Sequence, residues 1–306
     1  MVRSFAATIA VALVSCGSEP TPEPEGPFDS GLLGRWDVTV GGEDSYPLWF
    51  EVEETGGRLA GRLQGRFGHA LPMEDVQAMG AHLMWNVEGT SYHSNLEGEQ
   101  IRGALTTAEG ENRDWIAVRA PMLPAPVEPE WGEPIELFNG VDLSGWRPRH
   151  PEASNFWRAE DGVLVNDDAG TDLVTESSFE DFRLHIEVQV PAGSNSGIYL
   201  RGRYEVQVQD DHGKEPHALH MGGIYGQVTP TSNAALPPGE WQTFDITLLG
   251  RWVTVVLNGE TVVDNQEIPG ITGGALDSKE SEPGPIFLQG DHGRILYRNM
   301  VLTPAL

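Results

Sequence analysis

Apolar and polar residues alternate in short runs along most of the chain, and a two-residue period of this kind predicts strands whose side chains point to opposite faces. In the amino-terminal half the runs are 34–40 (GRWDVTV), 48–53, 58–63, 82–87, 100–106 and 115–119, separated by glycine-marked turns. Their even spacing predicts a small antiparallel barrel or sandwich. In the carboxy-terminal half the runs are 182–190, 197–201, 204–209, 243–248, 253–257, 286–289 and 295–302, and these predict a β-sandwich. No stretch carries a convincing helical period, so the expected fold class is all-β. Between the halves, residues 122–134 (MLPAPVEPEWGEP) hold four prolines in thirteen positions, which remove ladder donors and force extended backbone. The expected organisation is a small β domain over 32–121, a proline-rich linker over 122–134 and a sandwich over 135–306.

The first residues break the pattern. One basic residue, Arg3, precedes an apolar run from Phe5 to Val14 that is too short to span a bilayer. The run ends in Leu13-Val14-Ser15-Cys16, which resembles a bacterial lipobox. Residues 1–15 are therefore expected to be a lipoprotein signal peptide, with Cys16 carrying the lipid. The other reading is an ordinary secretory signal in which the cysteine is incidental. Residues 16–31 are rich in proline and glutamate and cannot bury apolar surface, as a tether requires. The expectation is an exported protein, lipid-anchored to a bacterial membrane and facing the periplasm or the exterior.

Composition narrows the possible partners. Acidic residues outnumber basic ones 46 to 19 in a chain of 306, for a net charge of −27, so phosphate backbones are repelled and nucleic acid is not expected to bind. With 37 glycines and 22 prolines the chain is turn-rich, in keeping with the strand pattern. Cys16 is the only cysteine, which excludes an internal disulfide and a cysteine-based zinc site.

Strand periodicity sorts the candidate side chains by face. Over 204–209, Tyr204, Val206 and Val208 share one face and leave Glu205, Gln207 and Gln209 on the other, a polar row that suggests a wet cleft. Over 182–190, Glu187 lies opposite Phe182, Leu184, Ile186 and Val188, so Glu187 and Glu205 are expected to face one groove. Tyr199 and Arg201 likewise lie opposite Ile198 and Leu200, placing a guanidinium among those carboxylates. A solvated outer sheet face explains these rows equally well. In Gln289-Gly-Asp-His-Gly293, glycines flank Asp291 and His292 beside an apolar strand end, where backbone can approach a ligand and the pair can serve as an acid/base element. Tyr225 lies in a glycine-rich turn, as a proton donor, a stacking group or a core residue. His212, His217 and His220 lie among carboxylates but lack a recognised metal spacing, so a solvated loop is expected and no metal or other cofactor is assigned. Trp36, Trp49, Trp85 and Trp115 suit either a sugar-stacking platform or a buried core.

Several motifs in order resemble the 3-keto-disaccharide hydrolase domain family: Leu137 to Trp146 (LFNGVDLSGW), Gly193 to Gln207 (GSNSGIYLRGRYEVQ), Gly222 to Gly226, Gly239 to Trp241, Asn258-Gly259 and Gly284 to Gly293 (GPIFLQGDHG). The resemblance spans 135–306. It implies a concanavalin-like jelly roll with a carbohydrate cleft on its concave face. It also implies cleavage of 3-keto-glycosides or 3-keto-disaccharides: the ketone acidifies the C2 proton, a base removes it, the C1 substituent leaves, and water adds. That route needs a base, an oxyanion donor and an acid. The expected catalytic set is Glu205 or His292 as base, Arg201 and Lys279 as oxyanion stabilisers, and Asp291 as orienter or acid. Glu187, Tyr199, Gln207, Tyr225 and Gln289 are expected to hold substrate. No nucleotide-binding glycine loop or haem motif occurs, so a sugar 3-dehydrogenase acting upstream is the implied partner. Two other readings remain: a carbohydrate-binding lipoprotein without catalysis, and a conventional retaining glycosidase of laminarinase-like type. The second is disfavoured because Gln207 and Gln209 stand where a further strand carboxylate would be needed.

Overall fold

The structure, a computed structural model, describes residues 28–42 and 44–306. The expected signal peptide, Cys16 and tether residues 16–27 lie outside the described residues. Apart from one short 3-10 turn, Ser30–Leu32, the regular elements are all strands.

The amino-terminal strands form one antiparallel nine-stranded sheet. Gly34–Val40 pairs with Tyr46–Thr55 on one side and with Asn112–Arg119 on the other, which joins the beginning of the domain to its end. The two edges, Leu71–Pro72 and Glu74–Met79, follow one another in the chain, so the sheet is a nearly closed barrel. Alternation sends Trp36, Phe50, Trp85 and Trp115 into its interior, where Phe50 and Trp85 lie 4.9 Å apart and Trp85 and Trp115 lie 5.9 Å apart. All four tryptophans of this region are no more than 2% exposed, which corrects the sugar-platform reading. They are core. Strand Thr90–Glu97 escaped the sequence pattern because it is mostly polar; Tyr92 and Leu96 face the barrel interior, and buried Ser94 donates to the Leu83 carbonyl at 2.9 Å.

The carboxy-terminal region is a two-sheet sandwich. One sheet is built around Ile295–Pro304, Phe182–Gln189 and Trp241–Leu249. The other orders Trp146–Pro148, Leu173–Thr175, Phe287–Leu288, Asn195–Leu200 and Tyr204–Gln209. One apolar cluster lies between them, with Leu184, Ile186 and Val188 from the first sheet meeting Ile198, Val206 and Val208 from the second. Between Trp252–Leu257 and Glu260–Glu267, Asn258 and Gly259 have φ of +52° and +82°, the pair of left-handed residues that a tight hairpin turn needs.

The barrel and the sandwich share a buried seam. Trp49 alternates outward from the barrel, joins the sandwich core and donates from Nε1 to the Ile271 carbonyl at 2.8 Å. Arg35 reaches the Pro269 carbonyl and the carboxylate of Glu280, which is 0% exposed. Tyr204 donates to the other oxygen of Glu280 at 2.6 Å. Burial, reinforced by Glu280, raises the Asp37 carboxyl from its ordinary 3.8 to about 7.

Candidate active site

The five-stranded sheet turns its second face outward, and a cavity of about 310 Å³ lies on it, near the small end of the roughly 300–1,000 Å³ range of ligand pockets. Alternation delivers its floor. Tyr199 from Asn195–Leu200, Glu205 and Gln207 from Tyr204–Gln209, and Phe287 from Phe287–Leu288 point into it, while their strand neighbours fill the sandwich core. Tyr225, Gln289, Asp291 and His292, also among the expected site residues, line it as well.

Glu205 is 3% exposed, and burial raises its carboxyl from 4.5 to about 8, with Asp291 and Asp172 adding to the rise and the Tyr199 hydroxyl opposing it. The Tyr199 hydroxyl lies 2.8 Å from the Gly273 carbonyl and 2.9 Å from Glu205 Oε2. Its single proton serves one of these acceptors. When it goes to the carbonyl, a protonated Glu205 donates back to the phenol and every group is satisfied. Stacking on Phe287, with centroids 4.0 Å apart, holds the phenol in place. Gly197 is required beneath it, because a Cβ there would collide with the Glu205 carboxyl.

His292 and Asp291 are hydrogen-bonded through Nδ1, and this bond holds the imidazole above its ordinary 6.5 against the opposing effect of burial. Gln289 contributes a side-chain carbonyl that is buried and has no partner among the described residues. Such an orphan acceptor on a cavity wall is suited to a ligand hydroxyl.

Two further charged residues belong here that strand periodicity did not reveal. Asp172 precedes the short strand Leu173–Thr175; it accepts from the Gly290 amide at 3.0 Å and from Arg149 at 3.2 Å, and burial raises its carboxyl. Arg149 also donates to the Gly274 carbonyl at 3.0 Å and lies over Phe287, its guanidinium 5.2 Å from the ring centre. Neither residue sits in a long alternating run, and only the glycines at 273–274 and 290 hint that backbone packs closely there.

Three expected participants lie elsewhere. Glu187 faces outward from the opposite sheet and binds Arg298 at 2.7 Å and Asn299 at 2.6 Å, so the sandwich core separates it from Glu205. Alternation fixes a residue's side of its own sheet, but not which sheet the strand joins. Arg201 sits in the turn after its strand with φ of +52°, which ends the alternation; its buried guanidinium reaches the Gly250 carbonyl and the Tyr204 ring. Lys279 is exposed on a loop and pairs with Glu282 at 3.6 Å. Arg149 is the guanidinium that lines the cavity instead. His212 and His220 turn Nδ1 toward the carbonyls of Ala235 and Glu215, and among the described residues no three metal-binding side chains converge.

The carboxy-terminal half of the chain resembles known proteins. A family model described as the 3-keto-alpha-glucoside-1,2-lyase-like domain matches residues 133–303, more than half of the chain. A 3-keto-disaccharide hydrolase of Bacteroides thetaiotaomicron is 25% identical over 42% of this chain, and the chain spans 57% of that relative's length. A crystal structure of a candidate glycosyl hydrolase from Parabacteroides distasonis is 32% identical, covering 60% of this chain and 94% of its own, with a TM-score of 0.48. A second from the same organism is 22% identical, covering 56% and 94%, with a TM-score of 0.46. The match takes in every charged group of the cavity and leaves the barrel outside it, and on that extent the chain belongs to the 3-keto-alpha-glucoside-1,2-lyase-like family of glycosidase-type domains.

Proposed function

We propose that the protein is an exported, lipid-anchored enzyme that cleaves 3-keto-glycosides by elimination and hydration. The observation that carries this reading is the pairing, in one cavity, of a buried carboxyl that titrates near 8 with a half-exposed histidine oriented by Asp291. His292, held through Nδ1, offers Nε2 as the base for the C2 proton. As that proton leaves, electrons move into the C1–C2 bond and the C1–O bond breaks. Neutral Glu205 gives its proton to the departing oxygen. Arg149 supports negative charge developing on the C3 oxygen, and Gln289 accepts from a sugar hydroxyl. Addition of water across the C1–C2 double bond then returns a free 3-keto sugar. The ketone itself has to be made by a separate sugar 3-dehydrogenase.

A conventional glycosidase is the second reading, favoured by Asp172 and Asp291 sharing the cavity with Glu205, carboxylates that come from outside the alternating row. Purified protein lacking residues 1–16, given matched glucosides and 3-keto-glucosides, separates the two readings. Release of the aglycone from the keto compounds alone, lost in His292→Ala while the substrate still binds, supports elimination. Release from plain glucosides overturns it, and binding without cleavage of either makes the protein a carbohydrate-binding module.

Gly197→Ala tests the placement of the acid. The new methyl must displace the Glu205 carboxyl, and a misplacement of about 1 Å costs on the order of 10²-fold in rate. The expected result is a lower kcat for keto-glucosides with KM little changed.

A further inference from the structure

The cavity continues past the family domain. A second compartment, about 420 Å³ in volume, shares Phe67, Arg149, Asp172, Gly274 and Asp291 with the first, so the two form one cleft. Its outer wall comes from the barrel: Ser45, Tyr46, Arg66 and Phe67 line it, and all lie outside residues 133–303.

The barrel loop at this junction is pinned against the sandwich. Buried Gln64 donates to the carbonyls of Gly65 and Gly68 at 3.1 and 3.0 Å, which fixes the loop from within. The Gly274 amide donates to the Arg66 carbonyl at 2.8 Å, and Gly273 packs so tightly on Gly68 that a Cβ would collide with its backbone. Yet Phe67, at the crest of this loop, is 70% exposed. An aromatic ring fixed on a rigid loop at the mouth of a polar cleft has no core to serve. The Arg66 guanidinium lies over the ring at 5.2 Å from its centre, and the ring's remaining exposed surface is available to the apolar face of a sugar ring.

We propose that the barrel loop 65–70 and this second compartment form the subsite for the group carried on C1 of the keto sugar, with Phe67 as its stacking surface and a second sugar ring as its occupant. This rests on the elimination reading above. Glu205, Gln207, Tyr225 and His292 line only the first compartment, so the ring that loses its proton sits there and its C1 substituent extends toward Phe67. Hydroxyl and imidazole groups from Ser45, Tyr46 and His150 suit a polyhydroxylated group better than an aromatic one. The barrel thereby selects substrates by their leaving group.

The test compares kcat/KM for a 3-keto-disaccharide, an aryl 3-keto-glucoside and methyl 3-keto-glucoside in the parent protein, Phe67→Ala and Phe67→Trp. Phe67→Ala should lower the disaccharide-to-methyl ratio about tenfold, and Phe67→Trp should keep it. A ratio unchanged in Phe67→Ala overturns the proposal, as does a loss confined to the aryl compound, which would make the occupant aromatic. Calorimetric binding of the unoxidised disaccharide and monosaccharide is measured alongside. If no keto compound is cleaved, the elimination reading fails. The subsite then stands only if the disaccharide binds more tightly than the monosaccharide and Phe67→Ala removes the difference, and it falls if they bind alike.

Discussion

At pH 8.5, Glu205→Gln unfolds at a higher temperature than the parent protein while cleaving 3-keto-glucosides on the order of 10²–10⁴ times more slowly. Both effects come from one buried carboxyl. Its value is about 8 in the folded protein against an ordinary 4.5, so between these limits the folded chain holds a proton that the unfolded chain has released. Stability from this group is therefore fully present below about pH 4.5 and declines as pH rises to 8. Above 8 the folded state carries a buried anion. Glutamine has the same shape, stays neutral at every pH, and can donate from its amide to the Tyr199 hydroxyl as the protonated acid does. The melting temperatures should coincide near pH 4 and separate above pH 5, by an amount that corresponds to a few kcal/mol, since each tenfold change in proton affinity on folding is worth about 1.4 kcal/mol. Calorimetry across that range measures it. The rate of the parent should fall above pH 8 as Glu205 ionises, and on the acid side as His292 takes up a proton above its ordinary 6.5. Equal melting temperatures at pH 8.5 would show that Glu205 is already solvated or paired in the folded state.

Arg35→Met is the second large effect, and its site is remote from the cavity. Glu280 is fully buried, and Arg35 is its close cationic partner, with Arg251 at 4.0 Å. Removing the guanidinium leaves a buried carboxylate supported by the Tyr204 hydroxyl, a change that costs about 3–5 kcal/mol in comparable cases. The double variant Arg35→Met/Glu280→Gln should recover most of that loss, because the charge needing compensation is gone. Urea unfolding at pH 7 measures both. A loss below about 1 kcal/mol in the single variant would mean that water reaches Glu280.

The faces of the strands could be read from the chain, and with them much of the cavity floor. Glu205 and Gln207 oppose Tyr204, Val206 and Val208 because a strand has a period of two whatever it packs against. The Asp291-His292 pair was legible for a different reason: flanking glycines mark where backbone turns closely beside a ligand. Glu187 was misplaced because the pattern cannot say which of two sheets a strand joins. Arg201 was misplaced because alternation stops at a turn, and φ of +52° rotates its side chain away from the cleft. Asp172 and Arg149 come from segments too short or irregular to have a period. Phe67 lay beyond the reach of any local argument, since its role depends on a contact between barrel and sandwich that neither half encodes alone.

The seam also restricts how the protein can be reassembled from parts. The proline-rich linker invites a cut near residue 133, but the segment 268–280 is bound on one side by Arg35 and Trp49 and on the other by Tyr199 and Arg149. An excised sandwich would lose the indole that fills part of its core and deprive the buried Glu280 of its close cationic partner, Arg35. A foreign barrel grafted in its place would have to reproduce an arginine, a tryptophan and a glycine-bearing loop in register. In this chain the two halves therefore have to be engineered as one unit, and the linker between them is not a usable point of division.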